Sequence, residues 1–88
     1  MNWHTIRTQY PHQWVLVDAL EAHSDNNKRI LDSMAVINCF TNSMKALQAY
    51  GRLHKKSPQR ELYVLHTNKE TLDIEQRFWF GVRFNAND

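Results

Sequence analysis

Residues 13–40 read QWVLVDALEAHSDNNKRILDSMAVINCF. The polar step Asp25-Asn26-Asn27 sits between two apolar runs, and Asn and Asp tolerate left-handed backbone and bond to nearby backbone groups. One flank carries Trp14, Val15, Leu16 and Val17, the other Ile30, Leu31, Val36 and Ile37, a β-branched and aromatic bias that suits a pleated surface. Neither flank keeps the 3.6-residue period of a helix. The stretch therefore predicts one long antiparallel hairpin, and the rest of the chain is read outward from it.

A three-residue loop of Asn26, Asn27 and Lys28 sets Asp25 opposite Arg29, Leu20 opposite Met34, Val17 opposite Ile37 and Trp14 opposite Phe40. A two-residue loop would bring the like charges Glu21 and Asp32 face to face, so the longer loop is the expected register. In that register one face shows Val15, Val17, Ala19, Leu31, Ala35, Ile37 and Cys39. The other shows Trp14, Leu16, Leu20, Ile30, Met34, Val36 and Phe40. Both are apolar near the open end, so the hairpin needs cover on both sides. A helix of the same chain supplies one cover, and the second has to come from elsewhere.

Upstream, residues 2–9 predict a short helix with Asn2 as N-cap and Trp3, Ile6 and Tyr10 along one side, ended by Pro11. Such a helix caps a sheet edge or packs against a neighbour. Downstream, Thr41-Asn42-Ser43 offers N-caps for a main helix near residues 43–55. Its expected buried stripe is Met44, Leu47, Tyr50 and Gly51 or His54, widened by Ala46 and Leu53. Gly51 weakens that helix by about 1 kcal/mol relative to Ala. Ser57-Pro58 stops it. Residues 61–67, ELYVLHT, predict a well-buried third strand. From Leu72 to Phe84 apolar residues occupy the even positions, the alternation of a strand, most clearly over 78–84. Thr67 and Glu70 match a capping box, which leaves turn, helix and extended structure open for 68–77. The fold class expected for residues 1–88 is a single α+β domain: a mainly antiparallel, three- or four-stranded sheet built on the hairpin, one main helix on a face, and a short N-terminal helix.

With 88 residues, the chain buries only about 60 to 65% of its unfolded surface, so self-association would help it. Eleven Lys and Arg stand against nine Asp and Glu, a net charge of +2 that does not by itself indicate nucleic acid. A single cysteine, Cys39, excludes an intramolecular disulfide, and the first residues lack the apolar centre of a signal peptide. No stretch approaches the roughly 18 apolar residues of a membrane span. The chain reads as cytoplasmic, with no membrane partner.

Asp18 and Asn38 interrupt the face carrying Trp14, Leu16, Leu20, Met34, Val36 and Phe40. An apolar face disfavours a charged carboxylate without a donor, so the two form a candidate small-molecule pocket, although a satisfied structural pair is the commoner arrangement. Leu16-Val17-Asp18 is similar to the approach to an aspartic-protease aspartate, but Ala19 and Leu20 replace the Thr or Ser and Gly that such a site requires. The five histidines lack metal-ligand spacing, and no phosphate loop, nucleophile elbow or dinucleotide fingerprint occurs. No catalytic residue, metal site or cofactor is expected. Arg52, His54, Lys55, Lys56 and Arg60 form the densest positive patch, a candidate anion or nucleic-acid contact through Arg52, Lys55, Lys56 and Arg60; cations also belong near a helix C-terminus. Trp79, among polar neighbours and beside Arg77 and Arg83, points to a protein interface, as do Trp14, Leu16, Leu20, Met34, Val36 and Phe40.

The segment Tyr10-Pro11-His12-Gln13-Trp14-Val15 resembles the opening of small bacterial domains of unknown function that begin YP-x-x-WV and continue as strand, hairpin, helix and strand. That resemblance implies the fold and a bacterial or phage origin, and transfers no site residues. The expected function is a non-catalytic interaction or regulatory module that self-associates as a homodimer through a sheet face or edge, with nucleic-acid binding and a pocket at Asp18 and Asn38 as alternatives.

Overall fold

The computed structural model describes residues 1–75. Its elements are α1 (Trp3–Gln9), β1 (Trp14–Asp25), β2 (Lys28–Phe40), α2 (Ser43–Lys56) and β3 (Leu62–His66). The three strands make one antiparallel sheet in the order β2-β1-β3. This is the expected α+β class with three strands. The expected strand at 78–84, including Trp79, lies outside the described residues.

The hairpin turn differs from expectation. Asn26 and Asn27 alone form it, with φ of 49° and 63°, so Asp25 faces Lys28 rather than Arg29. Two successive left-handed residues give the turn a twist that matches the strands it joins. The clash of Glu21 with Asp32 is relieved by bulging: β1 passes over Leu20 and β2 passes over Asp32, which leaves Glu21 facing Ser33. Asp32 Oδ2 lies instead 2.6 Å from His23 Nδ1. A third irregularity passes over Ile37, so Val17 faces Val36 while Trp14 faces Phe40 as expected. Asn27→Ala puts at positive φ a residue that adopts left-handed backbone far less readily than Asn. It should lower the unfolding free energy by about 1 kcal/mol in urea denaturation, and Asn27→Gly should not.

The bulge at Ile37 decides which layer each β2 side chain enters, because one extra residue flips everything beyond it to the other face. Met34 and Val36 join Val15, Val17, Tyr63 and Leu65 in one core layer, whereas Phe40 stays with Trp14, Leu16, Leu62 and Val64 in the other. The first layer is closed by Trp3 and Ile6 of α1 and by Leu72 and Ile74. The second cover that the hairpin needs thus comes from the same chain, with α1 on a face and not at an edge.

Local bonds hold α1 in that place. Asn2 Oδ1 accepts from Thr5 N at 2.8 Å, Trp3 Nε1 donates to Lys69 O at 2.8 Å, and Arg7 Nε donates to Thr67 O at 2.8 Å. The N-terminal ammonium donates to Met34 O, and Met34 N donates to Met1 O, each at 2.8 Å, so the chain start is tied to the outer edge of β2. Between α1 and β1 the backbone turns at His12, whose φ is 57°. Thr67 caps no helix: its hydroxyl accepts from Gln13 N at 3.1 Å, and the chain runs on through turns to an extended Ile74 and Glu75 that pair with Arg29 and Lys28 of β2.

The second layer is covered by α2, capped by Asn42. Its inward stripe is Ala46, Ala49, Tyr50 and Leu53, at spacings of three and four. Met44 and Leu47, expected inside, are 61% and 50% exposed. The two alanines let the helix axis approach the sheet closely, and that rotation carries the longer Met and Leu side chains out to solvent.

Candidate functional site

Three surface features follow from this framework: an uncovered arm, a set of ion pairs at its base, and a cationic helix. Along β1, β3 pairs with Trp14–Asp18, and its last bond to β1 runs from Ala19 N to Glu61 O at 2.8 Å. Beyond that point β1 and β2 continue as an arm, whose outer β2 edge is joined near the turn by Ile74 and Glu75. Ala19 and Leu31 pack into the α1 layer, so pleat alternation turns Leu20 and Ile30 toward the opposite side, where α2 does not reach. They are 59% and 40% exposed.

At the base of the arm, Arg29 donates from Nε to Glu61 Oε2 at 2.8 Å and from Nη2 to Glu61 Oε1 at 2.9 Å. Tyr63 Oη donates to the same carboxylate at 2.7 Å, and Arg29 Nη1 donates to Ser24 Oγ at 3.1 Å. Donation to the Glu61 carboxylate holds the Arg29 guanidinium above its already high ordinary pKa, against the opposing effect of burial. On the other face Asp18 Oδ2 accepts from Arg60 Nε at 3.0 Å and Nη2 at 2.8 Å. The arm's outer end is paired by Lys28 with Asp73, a contact that raises the ammonium pKa, chiefly through that hydrogen bond.

These contacts redistribute the residues singled out in the sequence. Asp18 is satisfied by Arg60, a donor four residues beyond the helix that sequence spacing alone does not place. Asn38 is exposed, and its Oδ1 accepts from Cys39 N at 2.8 Å. The two side chains thus serve separate structural bonds and do not form the expected pocket. Arg60 leaves the positive patch for the same reason. Of the expected interface residues, Leu16 and Met34 are buried in the chain's own core on opposite faces, and Val36 shares the layer of Met34. Trp14 and Phe40 are half-buried beneath α2, Trp14 edge-on to His66 at 4.9 Å. Among the described members of that set, Leu20 alone is exposed.

The histidines are dispersed. His12 Nδ1 lies 2.8 Å from Asn68 Oδ1, His66 Nδ1 accepts from Asn68 N at 3.1 Å, and His54 stacks on Tyr50 at 5.6 Å. Among the described residues no three His, Cys, Asp or Glu side chains converge as metal ligands. Cys39 is a free, half-buried thiol. No helix of the described residues is long and apolar enough to cross a membrane.

On α2, Gln48, Gly51, Arg52, His54 and Lys55 line an open depression of about 610 Å³. Gln48 and Gly51 were not anticipated as surface-site residues. The available signal was the composition of residues 43–56, which hold four Lys and Arg and no acid. Comparisons with protein-family models, curated proteins and solved structures return no match.

Proposed function

We propose that this chain is a non-catalytic interaction or regulatory module of the bacterial cytoplasm that forms a homodimer through the open side of the hairpin arm. The observation that supports the reading is the pair Leu20 and Ile30, exposed on a stretch of sheet face that, among the described residues, neither helix covers. Large apolar side chains grouped on an uncovered sheet face favour a protein partner. A second copy suits this surface because the arm carries exposed charges of both signs, Glu21 and Asp25 beside the pairs His23 with Asp32 and Lys28 with Asp73. A two-fold contact sets one patch against itself, and mixed signs let it be self-complementary. The lone thiol is in keeping with a reducing compartment.

Sedimentation of the full chain at micromolar concentration tests the reading. The wild type should run as a dimer, and the double variant Leu20→Glu, Ile30→Glu should run as a monomer with an unchanged circular-dichroism spectrum, since exposed positions change stability by only about 0.5 kcal/mol. A wild type that stays monomeric, or a double variant that remains dimeric, overturns it.

A further inference from the structure

We propose that the outward side of α2 is a docking site for the phosphate backbone of nucleic acid, with Gln48, Arg52 and Lys55 as its donors and Gly51 as the point of closest approach. The first observation is charge segregation hidden by the small net charge. Four Lys and Arg and no acid lie in α2, leaving seven Lys and Arg against nine Asp and Glu in the rest of the chain. Gln48, Arg52 and Lys55 fall at i, i+4 and i+7, a row of donors down one side of the helix. Every side chain lining the depression can donate a hydrogen bond, and phosphate oxygens only accept.

Gly51 is the second, independent observation. It lies inside the helix without a positive φ, and a Cβ built there meets nothing within 4 Å. Neither backbone conformation nor packing among the described residues calls for glycine, yet the helix is weakened by it. A bare helix backbone on the floor of a cationic depression is what close approach by a ligand needs. Cations in the last turn complement the helix dipole, which accounts for Lys55 and Lys56 but not for Arg52 or Gly51.

The shape selects among anions. The depression is broad and open to solvent, so it does not enclose a small molecule, and it suits a polymer laid across it. An in-plane membrane helix needs a broad apolar face of its own; Ala46, Ala49, Tyr50 and Leu53 are spent on the sheet, and Met44 and Leu47 alone of the large apolar side chains of α2 are left outside. Pairing of α2 with its copy would juxtapose the like charges of Arg52 and Lys55.

Fluorescence anisotropy of labelled duplex and single-stranded oligonucleotides, titrated across salt, tests the proposal with the full chain. Two phosphate contacts give a log-log salt slope of about −1.8 on duplex or about −1.4 on a single strand. Arg52→Ala with Lys55→Ala should abolish that slope. Gly51→Ala is the decisive variant: restored helix propensity should raise the melting temperature by about 4 °C, while the added methyl weakens binding about fivefold. Unchanged affinity in Gly51→Ala overturns the proposal. So does equal binding to polyglutamate, which would identify an acidic protein partner, or to anionic vesicles, which would identify a membrane surface.

Discussion

Met34→Ala should lower the unfolding free energy by about 2 to 5 kcal/mol, the range for truncating a fully buried side chain that leaves a cavity behind. Met34 has no exposed surface and touches the layer formed by Trp3, Ile6, Val15 and Val17. A domain of 88 residues has only about 4 to 13 kcal/mol in total, so the variant should unfold at a far lower urea concentration or fail to fold at moderate temperature. The same substitution separates two roles for this residue. If Met34 belonged to a dimer contact, the variant would keep its urea midpoint at low protein concentration and lose only its association. A fall in the midpoint that is independent of protein concentration is the outcome expected here.

Arg29→Ala should cost about 2 to 3 kcal/mol, somewhat less than a fully buried pair because 19% of the Arg29 side chain and 14% of Glu61 remain exposed. Its forked guanidinium joins β2 to the residue ahead of β3, across the intervening β1, and its removal strips the Glu61 carboxylate of two charged donors while Tyr63 remains bonded. A double-mutant cycle with Glu61→Ala, followed by urea denaturation, should return a coupling well above the 1 kcal/mol that bounds most exposed pairs. Coupling of only a few tenths would show that solvent screens the pair. Lys28 with Asp73 is the internal contrast: that pair is open to water on both sides, and its rupture should barely move the midpoint.

Much of the fold was legible because it depends on local chemistry. Asn2 and Asn42 cap the helices they precede, the Asn26-Asn27 step turns the hairpin, and residues 62–66 form a buried strand from a short β-branched and aromatic run. Register was less legible. Avoiding Glu21 against Asp32 was the right constraint, but the chain meets it with bulges and a two-residue turn rather than a longer loop. A bulge costs little locally and leaves no mark in residue spacing, yet it reassigns whole faces. For the candidate site, the cations of α2 and Leu20 could be named in advance. Arg60 could not be excluded from the patch, since its partner Asp18 is 42 residues away in sequence.

Residues 13–40 by themselves determined that this protein is built on a hairpin apolar on both faces, because side-chain alternation and turn propensity act over a few residues. Only the tertiary structure decided that α1 and α2 close those two faces, that Met34 and Val36 lie inward, and that Leu20, Ile30 and the Gly51 side of α2 remain on the surface. Those outcomes depend on where helices dock and where a strand bulges, and both are set by packing between segments that the linear order keeps apart.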